Sequence, residues 1–150
     1  MDAKDFFTFA YTTVLETNEI LCEAIFPIPN ERSSGSYLKL ERVAGDFAIV
    51  SIALQMQVND HHVCESIGIG LGGVGVVPIK PFSVENLLLG KVLSSNLIEE
   101  AEQLICENID PPSDSRGSAE YKREVLKVLF RRALMKAIRG TDSSEMAYRF

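Results

Sequence analysis

The chain has 150 residues, of which 46% are hydrophobic, and it carries a formal net charge of −6 with a pI near 5.0. This length and composition suit one globular domain that buries roughly two thirds of the surface of its unfolded chain. The acidic balance disfavours nucleic acid and anionic membranes as partners. No apolar run approaches the roughly 20 residues that span a bilayer, and the N-terminus lacks a signal peptide. The sequence therefore predicts a cytoplasmic protein with no membrane span.

The first strand is predicted in residues 20–26 (ILCEAIF), a short apolar run closed by prolines. A polar, turn-rich linker follows over residues 30–36. Residues 37–42 (YLKLER) alternate in part, with Leu38 and Leu40 on one face and Tyr37, Lys39 and Glu41 on the other. They predict a second strand.

The clearest alternation lies in residues 46–58, which predict a longer strand. Asn59 and Asp60 suit a hairpin turn, after which residues 62–72 are expected to return as an antiparallel neighbour. The core-facing residues of the longer strand are expected to be Ala48, Val50, Ile52, Leu54, Met56 and Val58.

Five glycines fall in eight positions from Gly68 onward and fit the dinucleotide fingerprint G-x-G-x-x-G. That fingerprint holds a pyrophosphate only where its glycines open a helix. Here β-branched valines, Pro78 and Pro81 follow, and they disfavour a helix. The context favours close backbone packing or a bulge at a strand exit over phosphate binding.

The pattern changes to a helical period near Pro81. Three helices are expected: 84–89 capped by Ser83 and stopped by Gly90, a longer one capped by Ser95 and ended by Asp110-Pro111-Pro112, and a last one from Ser118 to Gly140. The last helix is expected to turn inward Tyr121, Val125, Val128, Leu129, Leu134 and Ile138. Strands followed by helices predict an α+β fold, with an antiparallel three- to four-stranded sheet followed by about three helices packed on one face.

Four blocks of this sequence, in order, resemble a known family: DFFTFAYTTVLETNEILCEAIFPIP, YLKLERVAGDFAIVSIAL, GIGLGGVGVVPIKP and SDSRGSAEYKREVLKVLFRRAL. The family is the C-terminal domain of the FAD-binding medium subunit of molybdenum hydroxylases, the carbon monoxide dehydrogenase and xanthine dehydrogenase family. The resemblance covers nearly the whole chain, and the blocks R-x-A-G-D-F and G-S-A-E-Y are its most specific parts.

The resemblance implies a relay of electrons from a molybdenum cofactor in a large subunit, through iron–sulfur clusters in a small subunit, to FAD in the medium subunit. The A-G-G-x-S and T-I-G-G loops that hold the FAD pyrophosphate in the family do not occur here. The chain thus looks like part of a flavin subunit whose FAD-binding N-terminal half is missing. Residues 1–15 are expected to be a remnant of that half or an interface segment, and residues 16–150 the family domain.

The resemblance also implies which residues face the flavin. Phe47 follows the Gly-Asp pair, where the family places an aromatic or apolar side chain over the isoalloxazine ring. Some members have tyrosine at this position, and its hydroxyl is lost here. Lys39 matches a lysine near the flavin, where a cation stabilises the anionic reduced ring. The alternatives are an ordinary sheet aromatic for Phe47 and a solvated strand residue for Lys39.

Two further residues have less specific expectations. Asp46 either orients Lys39 or starts a strand. Leu21 matches an apolar position that lines the ring in some members, although its residue type favours core packing. The FAD is expected to be shared with the missing half and to be absent from this chain alone.

Other candidate sites are weaker. His61 and His62 beside the hairpin turn lack the spaced partners of a metal site, so an exposed hairpin tip is expected. Asp114, Arg116 and Glu120 predict a helix-start network rather than catalytic machinery. The cysteines Cys22, Cys64 and Cys106 show no C-x-x-C spacing and predict neither a disulfide framework nor a metal site. No set of nucleophile, base and orienting residue can be assembled, so the chain is not expected to be catalytic alone.

The N-terminal stretch DFFTFAY concentrates the aromatics Phe6, Phe7, Phe9 and Tyr11. Left uncovered, they would form an apolar patch, and such patches usually mark interfaces. Homodimerisation through this segment, or binding of a separately encoded partner, is therefore expected. The alternative function is a free-standing interaction module that has kept the fold and lost flavin binding.

Overall fold

The computed structural model describes residues 1–141 of the chain. The strands are β1 (Phe7–Phe9), β2 (Thr12–Thr13), β3 (Ser33–Leu40), β4 (Val50–Val58) and β5 (Cys64–Gly72). A short 3-10 turn over Ala3–Asp5 precedes them. The helices are α1 (Phe82–Leu88), α2 (Ser95–Glu107) and α3 (Ala119–Thr141). The last part of the predicted domain, residues 142–150, lies outside the described residues.

Strands β3, β4 and β5 form an antiparallel sheet in that order, while β1 and β2 form a small separate hairpin. The register places Leu38 opposite Ile52 and Ile52 opposite Leu71, so apolar side chains of all three strands share one face. Helix α3 packs against β3 and β4, α1 lies next to β5, and α2 packs against the other two helices. The α+β fold with helices on one face of an antiparallel sheet is confirmed.

The core lies between this sheet and the helices. Its fully buried side chains come from strands and helices alike, and each contributes roughly 1.5–3 kcal/mol by leaving water. They include Val50, Ile52, Met56, Val84, Leu88, Ile105, Leu126, Phe130 and Leu134. The alternation predicted for residues 50–58 is confirmed, whereas Ala48 lies in the loop before β4 and is only partly buried.

The prediction of a strand over residues 20–26 is wrong. Residues 14–32 form no helix or strand, and Ile20, Ile25 and Phe26 are exposed. A strand persists only when its main-chain groups pair with a neighbour. Within residues 1–141 no strand pairs with this run, so its β-type composition has no sheet to join.

The glycine-rich stretch belongs to the sheet and its exit, as predicted. Gly68, Gly70 and Gly72 lie in β5, and Gly73 follows with a φ of +79°. A side chain at Gly73 would also collide with the main-chain oxygen of Ile49, which explains the requirement for glycine there. The chain then folds back so that Ile79 bridges to Leu71, and no helix begins until α1. The glycines of this stretch therefore do not open a helix whose N-terminus could hold a pyrophosphate.

The predicted helix boundaries need small corrections. The side chain of Ser94, not Ser95, caps α2 by accepting a hydrogen bond from the N–H of Leu97 at 3.3 Å. Ser83 lies inside α1, which begins at Phe82 after Pro81. Ser118 caps α3 as predicted, through the N–H of Tyr121 at 3.1 Å.

Helix α3 differs from the prediction at its far end and on one face. It continues through Gly140 to Thr141, so this glycine does not stop it. Tyr121 and Val128, expected to point inward, are both about half exposed. The other four predictions are confirmed, because Leu129 and Leu134 are buried and Val125 and Ile138 pack against the core. The buried face also includes Lys122, Leu126, Phe130, Ala133 and Ala137. The apolar residues of α3 occupy more than one stripe, and only one stripe faces the sheet.

His61 and His62 lie exposed in the β4–β5 turn, as predicted. Residues 1–141 hold no group of three or more His, Cys, Asp or Glu side chains placed to bind a metal. In the same range, no helix has the length and hydropathy needed to cross a membrane.

Candidate functional site

The sheet face opposite the helices, here called the open face, carries a mixture of polar and very small residues. Alternate residues of β4 point to the core, so Ser51 and Ala53 point the other way. The register aligns Lys39, Ser51 and Gly72 in one row across the sheet, and Tyr37, Ala53 and Gly70 in the next. In each row the side chains become smaller across the sheet, from a long side chain on β3 to a glycine on β5.

The open face leaves space above Gly70 on β5. A Cβ atom added at Gly70 would meet nothing within 4 Å, and Ala53 and Tyr37 are exposed. An exposed main chain beside a taller aromatic side chain is a surface on which a planar group can lie closely. The period-two spacing of the glycines could have placed them on this face from the sequence.

The loop between β3 and β4, residues 41–49, lies at one end of the open face and presents Phe47. The side chain of Phe47 is 77% exposed, although it belongs to a structured loop. Its N–H donates to the carboxylate of Asp46, with Oδ1 at 2.7 Å. Phe47 precedes β4 and is therefore not a sheet aromatic.

Lys39 connects the open face to this loop. Its ammonium donates a hydrogen bond to the main-chain oxygen of Asp46 at 3.0 Å and contacts the carboxylate of Glu41. The hydrogen bond to Glu41 raises the pKa of Lys39 above its ordinary value, so the side chain stays charged at neutral pH. Asp46 thus holds Lys39 through its main chain, while its carboxylate binds the N–H of Phe47.

The structure brings Lys39, Asp46 and Phe47 together but places Leu21 in a different environment. Leu21 lies in the extended segment 14–32 and is 61% exposed, so it is not part of the core. Its surroundings within residues 1–141 give it no packing role in the domain.

Two further side chains lie at the site, and the sequence had assigned neither of them a role there. Tyr37 stands next to Lys39 on the open face, two residues away on the same strand. The guanidinium carbon of Arg116 lies 5.3 Å from the centroid of the Phe47 ring. Alternation in β3 placed Tyr37 on the same face as Lys39, but no local pattern pairs Arg116 with a residue so distant in the chain.

The arrangement combines an exposed aromatic ring, a charged lysine and a sheet face whose β5 side carries glycines. An aromatic ring offers a planar apolar cover, and a nearby cation favours negative charge on the group that it covers. The side chains present therefore fit a planar redox-active ring such as an isoalloxazine. They include no nucleophile with a base at hydrogen-bonding distance.

Known proteins share the fold and part of the sequence of this chain. Residues 35–137, more than half of the chain, match the family model of the CO dehydrogenase flavoprotein C-terminal domain. The chain is similar to the glyceraldehyde dehydrogenase medium chain of Sulfolobus acidocaldarius, with 35% identity over 87% of this chain and 46% of that protein. It is also similar to the carbon monoxide dehydrogenase medium chain of Afipia carboxidovorans, with 31% identity over 90% of this chain and 46% of that protein.

A solved structure of reconstituted CO dehydrogenase from Oligotropha carboxidovorans superimposes with a TM-score of 0.86 and 31% sequence identity. The match covers 91% of this chain and 48% of the solved chain. The chain spans about half the length of the curated relatives it matches. Sequence and fold thus lead to one conclusion: the chain belongs to the CO dehydrogenase flavoprotein C-terminal domain family.

Proposed function

We propose that this chain supplies the flavin-covering part of an FAD-containing medium subunit in a molybdenum hydroxylase, and that it helps pass electrons to an acceptor. The observation that carries this proposal is the exposed ring of Phe47, which directly follows Asp46, the residue whose main-chain oxygen binds Lys39 at the end of the open face. The Asp46 carboxylate binds the N–H of Phe47, and the Phe47 ring is 77% exposed, so one side of the ring is available to cover a planar group. The family supports flavin as that group.

Each candidate residue has a role that its contacts support. The Phe47 ring covers one side of the isoalloxazine and excludes water from it. Lys39 supplies a fixed positive charge, and the Asp46 main chain holds that charge beside the ring. Leu21 adds apolar contact from the N-terminal segment. FAD, when bound, accepts and releases the electrons, while this chain's residues orient the ring and adjust the free energy of its reduction.

The proposal requires partners for turnover. The FAD-binding half would grip the phosphates and adenosine part of the cofactor, for which the open face offers no helix N-terminus. A molybdenum-containing large subunit and an iron–sulfur small subunit would supply the electrons, as in the family that the sequence resembles. On this view the chain alone oxidises no substrate.

The N-terminal segment, residues 1–32, is the proposed contact surface for the FAD-binding half. Its exposed apolar side chains are Phe7, Phe9, Tyr11, Leu15, Ile20, Leu21, Ile25, Phe26 and Ile28. Uncovered patches of this kind mark interfaces. In the absence of the partner half, the same surface would drive homodimerisation, and light scattering of the purified chain measures this. A monomer at every concentration would contradict self-association.

A chimera tests the flavin role. The part of the Sulfolobus acidocaldarius medium chain that lies outside the region of similarity is joined to this chain, and bound FAD is measured by absorbance after denaturation. We expect the chimera to retain FAD with quenched fluorescence, and Phe47→Ala to weaken both. Tyr121→Ala, which removes an exposed aromatic from α3, is the matched control and should change neither. A folded chimera that retains no more FAD than the Sulfolobus part alone would favour an interaction module that has lost flavin binding.

A further inference from the structure

Phe47 is supported from behind by a positively charged side chain of a distant loop. The Arg116 guanidinium lies over its ring, with 5.3 Å between the guanidinium carbon and the ring centroid. Among residues 1–141 Arg116 forms no salt bridge, so its contact with the ring is not a by-product of pairing with a carboxylate. Arg116 is half-buried, whereas Phe47 is 77% exposed. The stacked guanidinium therefore covers only part of the ring.

A second contact joins the same two loops. The guanidinium of Arg42, in the loop between β3 and β4, donates to the main-chain oxygen of Ser115. Ser115 immediately precedes Arg116, so the two contacts lie next to each other along the loop between α2 and α3, residues 108–118. One loop contributes Arg42 and Phe47, and the other contributes Ser115 and Arg116. Two adjacent contacts fix both the separation and the relative orientation of the loops.

The loop at 108–118 is itself anchored to the core by Lys122 on α3. Lys122 is only 2% exposed, and its ammonium donates to the main-chain oxygen of Pro112 at 2.7 Å and to the Asp114 carboxylate at 2.8 Å. The other carboxylate oxygen of Asp114 accepts hydrogen bonds from the N–H groups of Arg116 at 2.8 Å and Gly117 at 3.2 Å. A buried ammonium needs such partners, so these bonds hold the loop in one conformation.

We propose that Arg116 is a positioning residue for Phe47: it stacks on one side of the ring, sets its orientation, and leaves the opposite side free for the flavin. The inference rests on the proposed function for what lies on the free side of the ring, but the contact between Arg116 and Phe47 stands without it. The guanidinium also places a positive charge behind the ring, which favours electron density on the group in front. The Lys122–Asp114 pair acts on Phe47 only indirectly, because it fixes the loop that carries Arg116.

The first experiment uses the chain alone and requires no cofactor. In the NMR spectrum, the Phe47 ring current should displace the side-chain CH2 proton signals of Arg116 upfield. Phe47→Leu should return these signals to the positions of an exposed arginine. The matched control is Arg132, an exposed arginine on α3 with no hydrogen bond or salt bridge to residues 1–141, whose signals should not respond to Phe47→Leu. Arg116 signals that are unchanged in a folded Phe47→Leu chain would overturn the stacking.

The second experiment measures the consequence in the chimera with the Sulfolobus acidocaldarius medium chain. Arg116→Met should weaken FAD binding by roughly two- to fivefold, the factor that corresponds to an exposed cation–aromatic pair, and should reduce the fluorescence quenching. Arg116→Lys, which keeps a cation, should restore part of the quenching, whereas a purely structural role would not depend on charge. Arg132→Met should match the unmodified chimera.

The outcomes of the two experiments separate the two proposals. A folded chimera without FAD overturns the proposed function, and the NMR result then decides the Arg116 contact by itself. Bound FAD with full quenching in the Arg116→Met chimera overturns the positioning role, even if the ring-current shift is present. Weakened quenching in Arg116→Met together with partial recovery in Arg116→Lys supports both.

Discussion

The N-terminal segment, residues 1–32, and the domain of residues 33–141 use the same apolar residue types in opposite ways. In the domain these side chains form one core between the β3–β4–β5 sheet and the helices. In the N-terminal segment Phe9, Ile25 and Phe26 are exposed, and its short hairpin packs chiefly against itself and the preceding 3-10 turn. Apolar composition alone thus does not say what a segment packs against. Here one region is organised around its own core, whereas the other leaves its apolar side chains exposed.

The difference has a structural cause. The alternating residues of β4 have a neighbouring strand on either side, so their main-chain groups pair and their apolar side chains meet those of β3 and β5. The run at 20–26 has a comparable β-type composition but no neighbouring strand within residues 1–141. A single strand buries little surface and cannot offset the entropy of ordering its residues.

The strongest test of this comparison replaces one phenylalanine in each region. Phe130 is fully buried in α3, and Phe130→Ala should lower the free energy of unfolding by about 3–5 kcal/mol, the range for a large core side chain. Phe26 is 83% exposed, and Phe26→Ala should change it by less than about 0.5 kcal/mol. Urea denaturation followed by circular dichroism measures both. Equal losses would show that the N-terminal segment belongs to the same cooperative unit as the core.

A smaller effect is expected at the buried charge beneath the loop 108–118. Asp114→Asn removes the ionic partner of Lys122, and we expect a loss of roughly 1–2 kcal/mol, because hydrogen bonds to charged groups contribute about 1.5–3 kcal/mol and this carboxylate is partly exposed. Denaturation at pH 7 measures the change. Asp110→Asn is the control, because the Asp110 carboxylate is fully solvent-exposed, and it should have no measurable effect.

The same substitution predicts a dependence on pH. The hydrogen bond from Lys122, followed by that from the Arg116 N–H, lowers the pKa of Asp114 below its usual value. A carboxyl whose pKa is lower in the folded state contributes stability above its unfolded pKa of about 4, and this contribution is lost as the pH falls through the folded value. As the pH falls from about 5 to about 2, the free energy of unfolding should therefore decrease less in the Asp114→Asn variant than in the parent chain. Parallel pH profiles would contradict the assigned role of Asp114.

Much of the fold was predictable because its signals are local. Alternation located β4 and most of its core face, the Asn59-Asp60 pair located the hairpin turn, and Ser118 marked the start of α3. The strand at 20–26 was wrong because a strand also depends on a partner that the run itself does not specify. The inward face of α3 was partly wrong because apolar residues such as Tyr121 fall on a second stripe of this helix.

The candidate site was predictable only in part, for a related reason. Alternation placed Lys39 on the outward face of β3, and the family resemblance singled out Phe47 and Asp46. The sequence left open whether Asp46 orients Lys39, and the bond turns out to use the main-chain oxygen of Asp46, which every residue type carries. The stacking of Arg116 on Phe47 joins loops that are far apart in the chain, and spacing along the sequence contains no signal for such a contact.

The smallest effect on stability is expected when a thiol is replaced. The reactivity of the thiols should nevertheless differ clearly between the two regions. Burial raises the pKa of Cys64 to about 11, so this thiol stays protonated and shielded at pH 8, whereas Cys22 is exposed in the N-terminal segment. An aromatic disulfide reagent should modify Cys22 rapidly, Cys106 more slowly because burial also raises its pKa, and Cys64 only on unfolding. Cys22→Ser should abolish the rapid phase and change the free energy of unfolding by less than about 0.5 kcal/mol. Rapid modification of Cys64 in the folded chain would mean that the core beside β5 is as accessible to the reagent as the N-terminal segment. That result would contradict the contrast between the two regions.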